Sequence, residues 1–372
     1  MSANPQNTGS YLHPAGSFRV DDHAVPTGRE ELWRFTPTAR LADFFDATVA
    51  RGSLVVRAEG AGLGRLGIGE APRGTVLTPV DRTSAIAAGV RDAAYLPIRG
   101  ELHDPIRVSV HGTDNTLPTA GHLVIDAAPG SKATVLITHT GQARHIGTVE
   151  IVVGEGAALT VVSLQDWDPG TVHLGQHEAV VGVGAVYRHV AVSLGGDLVR
   201  LQNNVSYTGV GGEAELYGVY FANTGQHLEH RLFVDHARPK GVSHVDYRGA
   251  LQGEKARSVW VGDVLIRPAA IGIQTYESNK NLVLTDGCRA DAVPNLEIET
   301  GDIVGAGHSA STGRFDEEQL FYLMSRGIDE TEARRLVVRG FFAAILARIG
   351  IPDVETALMA RIDRELDKEN HE

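Results

Sequence analysis

The sequence predicts a mainly β protein, a solenoid of short strands set between a small N-terminal α/β region and a C-terminal helical domain. Three observations carry this reading. From about residue 104 to 305, runs of Val, Ile, Leu, Thr and Tyr such as IRVSVHG, HLVIDA, ATVLITHT, TVEIVVG and AELYGVYFA are separated by Gly, Asn or Asp with almost no helical periodicity. The pattern continues for about 200 residues without a boundary, which favours a solenoid over a sandwich although no strict repeat is visible. Beyond it, apolar residues recur at helical spacing with start and stop signals.

Bulk properties bound the function. A chain of 372 residues exceeds one ordinary globular core, so two domains or one elongated repetitive body with additions is expected. Hydrophobic residues are 42% and charged residues 22%, the mixture of a folded rather than a disordered chain. Lys and Arg number 34 against 46 Asp and Glu, and the net charge of -12 would repel a phosphate backbone, so no nucleic-acid partner is expected. The start, MSANPQNTGSYLHPAGSF, has neither a basic nor an apolar leader region, and no stretch offers the roughly 18 apolar residues of a membrane span. A cytoplasmic protein is the expectation. Cys288 is the single cysteine, which excludes an internal disulfide and a CxxC pair; a thiolate metal site needs about four, so any such site must borrow ligands or use His and carboxylates.

Taken in order, residues 1–30 carry Pro, Gly and Asn without periodicity and read as a flexible segment. Residues 31–103 read as a cap: ARLADFFDATVARG puts Leu41, Phe44, Phe45 and Val49 on one helical face, Gly52 ends the helix, and SLVVRA follows as a strand. Gly62, Gly64 and Gly67 satisfy GxGxxG, but more loop residues follow where a nucleotide site needs a helix, so a surface loop is the better reading. No GxxxxGK[ST] occurs, so the chain has no P-loop of its own. Residues 104–312 form the β body. Within it His227, His230, His236 and His244 cluster in sequence; His227 and His230 would lie on opposite faces of a strand, and scattered surface histidines are expected rather than a metal site.

Residues 313–372 read as helical. Asp316 and Gln319 resemble a capping box, Leu320, Leu323 and Met324 form an apolar stripe, and Gly327 is a stop. A second helix starts at Asp329, with Glu332 three positions on. Its apolar surface, from Leu336 through Ile349, is too broad for one core face. Either part of it meets a partner or the helix is buried between neighbours. A third helix after Pro352 carries Val354, Leu358, Ile362 and Leu366 at steps of four. GHSAS, at 307–311, nearly matches the GxSxG nucleophile elbow but lacks the second glycine and the α/β context, so a plain turn is preferred.

Between Glu215 and Phe342 the chain resembles the SufB/SufD family of iron-sulfur cluster assembly proteins, and most the SufD-type subunit. RGALQGEKARSVWVGDVLI, QTYESNKNLVLTD, PNLEIETGDI and GHSASTGRFDEEQLFYLMSRGI carry the resemblance, in the family's order. It implies a right-handed parallel β-helix and a non-ATPase scaffold of a SufBCD-type complex, with no autonomous catalytic motif. It implies pairing with a SufB-type subunit and docking of a SufC-type ATPase on the helical domain, where Leu336, Val337, Phe341, Phe342 and Ile345 would be the contact. The implied iron-sulfur cluster is transient and shared with the partner; flavin binding and a homodimer of the isolated chain stay open.

Residue by residue, His308 matches the family histidine that faces the paired subunit near the cluster, and imidazole suits iron. A turn histidine is the competing reading. Ala306 stands where some SufD-type chains have a cysteine, which excludes a thiolate there. Cys288 falls where SufB-type chains carry the cysteine proposed to hold the cluster, against an inert buried thiol. On the β body alone, a parallel β-helix enzyme acting on carbohydrate or another polar substrate is the alternative function.

Overall fold

The structure, a computed structural model, describes residues 16–46, 54–315 and 317–367. Its body is a parallel β-solenoid of about eight turns. Short strands β1 (Val55–Glu59), β2 (Gly64–Gly67) and β3 (Asp92–Ile98) precede the long strand β4 (Ile106–Ala127). β1 pairs with β4 and β2 with β3 antiparallel, while β3 joins β4 in parallel. β5 (Lys132–Val153) turns a corner, so its first half pairs with β6 (Ala158–Trp167) and its second with β7 (Val172–Val181).

Two parallel sheets then grow by turns. The first adds β8 (Val186–Ser193), β10 (Glu213–Ala222), β12 (Val242–Leu251), β14 (Gln274–Val283) and β16 (Gly305–Arg314) to β6; the second adds β9 (Leu198–Tyr207), β11 (His227–His236), β13 (Arg257–Ile266) and β15 (Arg289–Ile298) to β7. Register partners Ala158 and Val186, Val186 and Glu213, and Val242 and Gln274 are 28, 27 and 32 residues apart. That uneven rung length is why the sequence shows no strict repeat.

Three apolar cores result. One fills the interior with Ile125, Val135, Val161, Leu216, Val245 and Trp260 among others. A second lies between the outer face of the first sheet and the C-terminal helices, and a third between the outer face of the second sheet and Trp33, Leu41, Phe44 and Phe45 of the N-terminal segment. Because both faces of most strands are covered, their sequences run apolar without clean alternation.

Leu41, Phe44 and Phe45 are buried as a shared face requires, but on a 3-10 helix, Thr38–Phe45; Val49 and Gly52, with the predicted helix end, lie outside the described residues. The glycine-rich segment is not all loop, since Gly64–Gly67 is β2. A short helix α1 (Arg82–Ala88) is held by a capping box between Asp81 and Ser84. At the C-terminus come α2 (Glu317–Ser325), α3 (Glu330–Leu346) and α4 (Pro352–Asp367). Asp316, and so its expected capping box, lies outside the described residues. Asp329 caps α3 by accepting from the Glu332 backbone N–H at 3.0 Å. Gly327 at φ 87° makes the left-handed turn between α2 and α3 that glycine adopts without strain.

The helices are anchored to the solenoid. The Arg248 guanidinium donates to the Phe341 carbonyl at 2.7 Å. Asn223 donates to the Glu365 side chain and Gln252 to its carbonyl, both at 2.6 Å. Among the described residues no helix is long and apolar enough to cross a membrane.

Candidate functional site

The solenoid ends on β15 and β16, each hydrogen-bonded to one neighbour, β13 and β14 respectively. Along β14 the usual sense of alternation is reversed: the polar residues Thr275, Glu277, Asn279 and Asn281 are buried and face inward, while Tyr276 is exposed. β16 pairs with β14 so that His308 is the register partner of Glu277. GHSAS is therefore part of the last strand and not a turn or nucleophile elbow, because the backbone of residues 305–314 is taken up in the β14 ladder. His308 Nδ1 lies 3.8 Å from Glu277 Oε1, with the imidazole 44% exposed and the carboxyl 1%.

Glu277 is the site residue that sequence reasoning missed. Neither of its oxygens has a hydrogen-bond partner, and the nearby Trp260 Nε1 has none either. A Cβ on Gly262 would stand 2.4 Å from Glu277 Oε2, so glycine there makes the room for the carboxyl. Burial, and then the charge of Asp263, push the Glu277 carboxyl up to about 8. At neutral pH it holds its proton. A nitrogen donor and an oxygen donor thus meet at the mouth of the interior, a pair suited to iron once the carboxyl ionises. The signal was available in QTYESNKNL, where every second residue is polar, but a polar row facing inward is not what alternation normally means.

A protonated native Glu277 has a definite pH signature. Its native pKa lies above the ordinary value of 4.5, so the stability it allows at low pH is lost as pH rises from about 5 through 8, with a slope of at most about 1.4 kcal/mol per unit. Glu277→Gln is expected to gain stability relative to the parent between pH 5 and pH 8. Denaturant unfolding at both pH values checks this; an equal difference at the two would show that Glu277 is ionised in the native protein.

Cys288 directly precedes β15, on the sheet opposite His308, and its thiol donates to the Gly253 carbonyl at 3.3 Å while packing on the interior core. Of the five predicted ATPase contacts, Leu336 is exposed. Val337 and Phe341 are half-buried, and Phe342 and Ile345 are buried in the core that α3 forms with Tyr217, Val219 and Ala250. The breadth of the apolar face therefore reflects burial on the solenoid, which leaves Phe342 and Ile345 no surface for a partner. The exposed apolar groups sit on α2: Phe321 at 74%, Tyr322 at 57% and Met324 at 43%, so Met324 is not part of the buried stripe with Leu320.

Three of the four clustered histidines are not on the surface, and His244 is half-buried. His227, His230 and His236 are buried. His230 stacks on Tyr220 at 4.9 Å and bonds Ser193, and His236 stacks on Tyr207 at 4.8 Å. Burial depresses His230 to about 3 and His236 to about 4, so both are neutral packing groups. His227 faces the other way, 3.1 Å from Glu229, which also meets Arg200 and Arg231.

Residues 110–341 match the family model described as SUF system FeS cluster assembly, SufBD core domain. The chain is 48% identical over 370 residues to an iron-sulfur cluster assembly SufBD family protein of Mycobacterium leprae, covering 94% of this chain and 93% of that one. A protein of the same description from Mycobacterium tuberculosis is 49% identical over 364 residues, covering 94% and 92%. A second Mycobacterium tuberculosis protein so described is 28% identical over 246 residues, 66% of this chain and 28% of that one.

Proposed function

The chain belongs to the SufBD family of iron-sulfur cluster assembly proteins, and from that membership we propose that it is the SufD-type, non-ATPase scaffold of a SufBCD-type complex. It pairs with a SufB-type subunit through the open end of its solenoid and carries a SufC-type ATPase on its helical domain. The observation that carries this reading is the unfinished last turn. β15 and β16 each leave one strand edge unpaired, and parallel edges of this kind are templates for another chain. His308 and Glu277 lie at that end. Among the described residues no three His, Cys, Asp or Glu side chains are grouped closely enough to hold an ion, which supports a cluster site completed by the partner's ligands. The cluster is cargo, held transiently and passed on.

We assign the ATPase contact to Phe321, Tyr322 and Met324 of α2 with Leu336 of α3, a reading supported by the exposure of these side chains. Co-purification with co-expressed SufB-type and SufC-type chains tests the assignment; a chain that remains alone and binds oligosaccharide would make it a β-helix enzyme instead. Replacing both Phe321 and Tyr322 by Asp is expected to weaken ATPase binding about a hundredfold, because charge in an apolar contact costs about 3 kcal/mol unless paired. Circular dichroism should be unchanged, both rings being exposed. Undiminished ATPase capture by the double variant would place the contact elsewhere.

A further inference from the structure

The outer face of the second sheet is only partly covered. Beside the core that Trp33 and Phe44 form there, residues 22–33 and 76–82 wall an open groove of about 750 Å³ whose floor is β7, β9, β11 and β13. Register lays a straight row across that floor, since Glu178 on β7, Asn204 on β9, Phe233 on β11 and Asp263 on β13 are successive partners. With neighbouring strands about 4.8 Å apart, the row from Glu178 to Asp263 spans about 14 Å.

The same row reaches back to Glu150 on β5, and the fold treats these two neighbouring carboxyls differently. Glu150 is buried, accepts from the backbone N–H groups of Gly74, Val76 and Leu77, and lies 2.8 Å from His122. Glu178 is half-buried on the groove floor. It accepts from Gln176 at 3.1 Å and from Asn204 at 2.9 Å, both on Oε2, and among the described residues nothing donates to Oε1. Burial pushes this carboxyl up to about 7 against those two bonds, and the charges of Glu150 and Asp235 add to the rise. What it lacks is a donor that carries positive charge.

The rest of the groove has the same bias. Seven carboxyl groups line it against three guanidinium groups, and the three are engaged. Arg267 makes two bonds of 2.7 Å to Asp235, Arg231 stands 3.5 Å from Glu229, and Arg82 donates to the carbonyls of Val20, His23 and Phe45. Phe233, half-buried between Glu178 and Asp263 in the row, offers the floor's aromatic surface. We propose that this groove binds a linear aliphatic polyamine, one terminal ammonium on Glu178 Oε1, the methylene chain across the Phe233 ring and a further ammonium at Asp263. Ammonium supplies the charged donor the carboxyl is missing, methylenes pack on the ring, and an inner ammonium over its face gains cation–π attraction. A neutral polyol could use the same amides and carboxyls, but it would leave the surplus of negative charge unanswered. The groove is separate from the His308 end and does not depend on the chain's role in a complex.

Calorimetric titration of the full chain with spermidine tests this. One equivalent is expected to bind in the micromolar range, and an α,ω-diol of equal length is expected not to bind. Glu178→Gln keeps an acceptor for Gln176 and Asn204 but loses the charge, and should weaken binding at least tenfold. Phe233→Leu should weaken it several-fold by removing the ring, and both variants should keep the parent's circular dichroism. Glu155→Gln, at an exposed turn, removes one charge from the surface and should bind as the parent does, which separates the groove from general attraction of cations to an acidic protein. Binding no tighter than millimolar, several equal sites, equal binding of the diol, an equal loss in Glu155→Gln, or full binding in both groove variants would each overturn the assignment.

Discussion

Gly249→Ala is expected to destabilise the solenoid by about 3 kcal/mol or to prevent its folding, although it adds a single methyl group. Tyr220 and Gly249 are register partners on β10 and β12, and two residues earlier Gly218 and Tyr247 are partners in the opposite sense. Each glycine gives way to the ring beside it. A Cβ on Gly249 would stand 1.8 Å from Tyr220 Cε2, and one on Gly218 2.0 Å from Tyr247 Cδ1. Neither ring can retreat cheaply. Tyr220 donates its hydroxyl to Asn281 Oδ1 at 2.6 Å, accepts from Asn279 Nδ2 at 2.9 Å and is stacked on His230. Moving it breaks a buried polar network as well as the packing. Gly340→Ala is the control: nothing lies within 4 Å of the added methyl, and in the exposed middle of α3 it should stabilise by about 0.5–1 kcal/mol. Denaturant unfolding followed by circular dichroism compares the two. A Gly249→Ala protein within about 0.5 kcal/mol of the parent would mean that the interior is looser than these distances require.

His308→Ala should leave the fold within about 0.5 kcal/mol of the parent, as for a half-exposed residue, yet lower the iron and sulfide assembled on the three-chain complex at least several-fold. The argument is positional. The imidazole stands on an edge strand, is open to solvent over much of its surface, and faces an interior carboxyl neither of whose oxygens has a hydrogen-bond partner. Glu277→Gln keeps the shape of that carboxyl but can neither ionise nor act as an anionic ligand. If both variants lose cluster, the pair acts together; if Glu277→Gln retains it, the imidazole acts alone. His308→Cys separates two roles, because a thiolate can replace imidazole on iron but does not reproduce its proton chemistry near neutral pH. Rescue by Cys favours ligation. A full complement of iron and sulfide in the Ala variant would make His308 an ordinary strand residue.

The sequence by itself determined what depends on near neighbours along the chain. Short apolar runs with glycine punctuation marked the strands, Asp329 with Glu332 marked the start of α3, and the four-residue spacing of Val354, Leu358 and Ile362 marked a buried face of α4. These are local signals, set by backbone hydrogen bonding and side-chain period. It also carried the motifs from which family membership could be read.

What only the tertiary structure decided is which side of each element meets what. In a solenoid sheathed on both outer faces, apolar residues are needed inside and outside alike, so alternation no longer distinguishes core from surface. That is why His230 and His236 read as surface groups although they are buried, and why Phe342 and Ile345 read as partner contacts although they pack on β10 and β12. Register is likewise invisible along the chain. Glu277 and His308 are 31 positions apart and become neighbours only because one rung of the first sheet has that length.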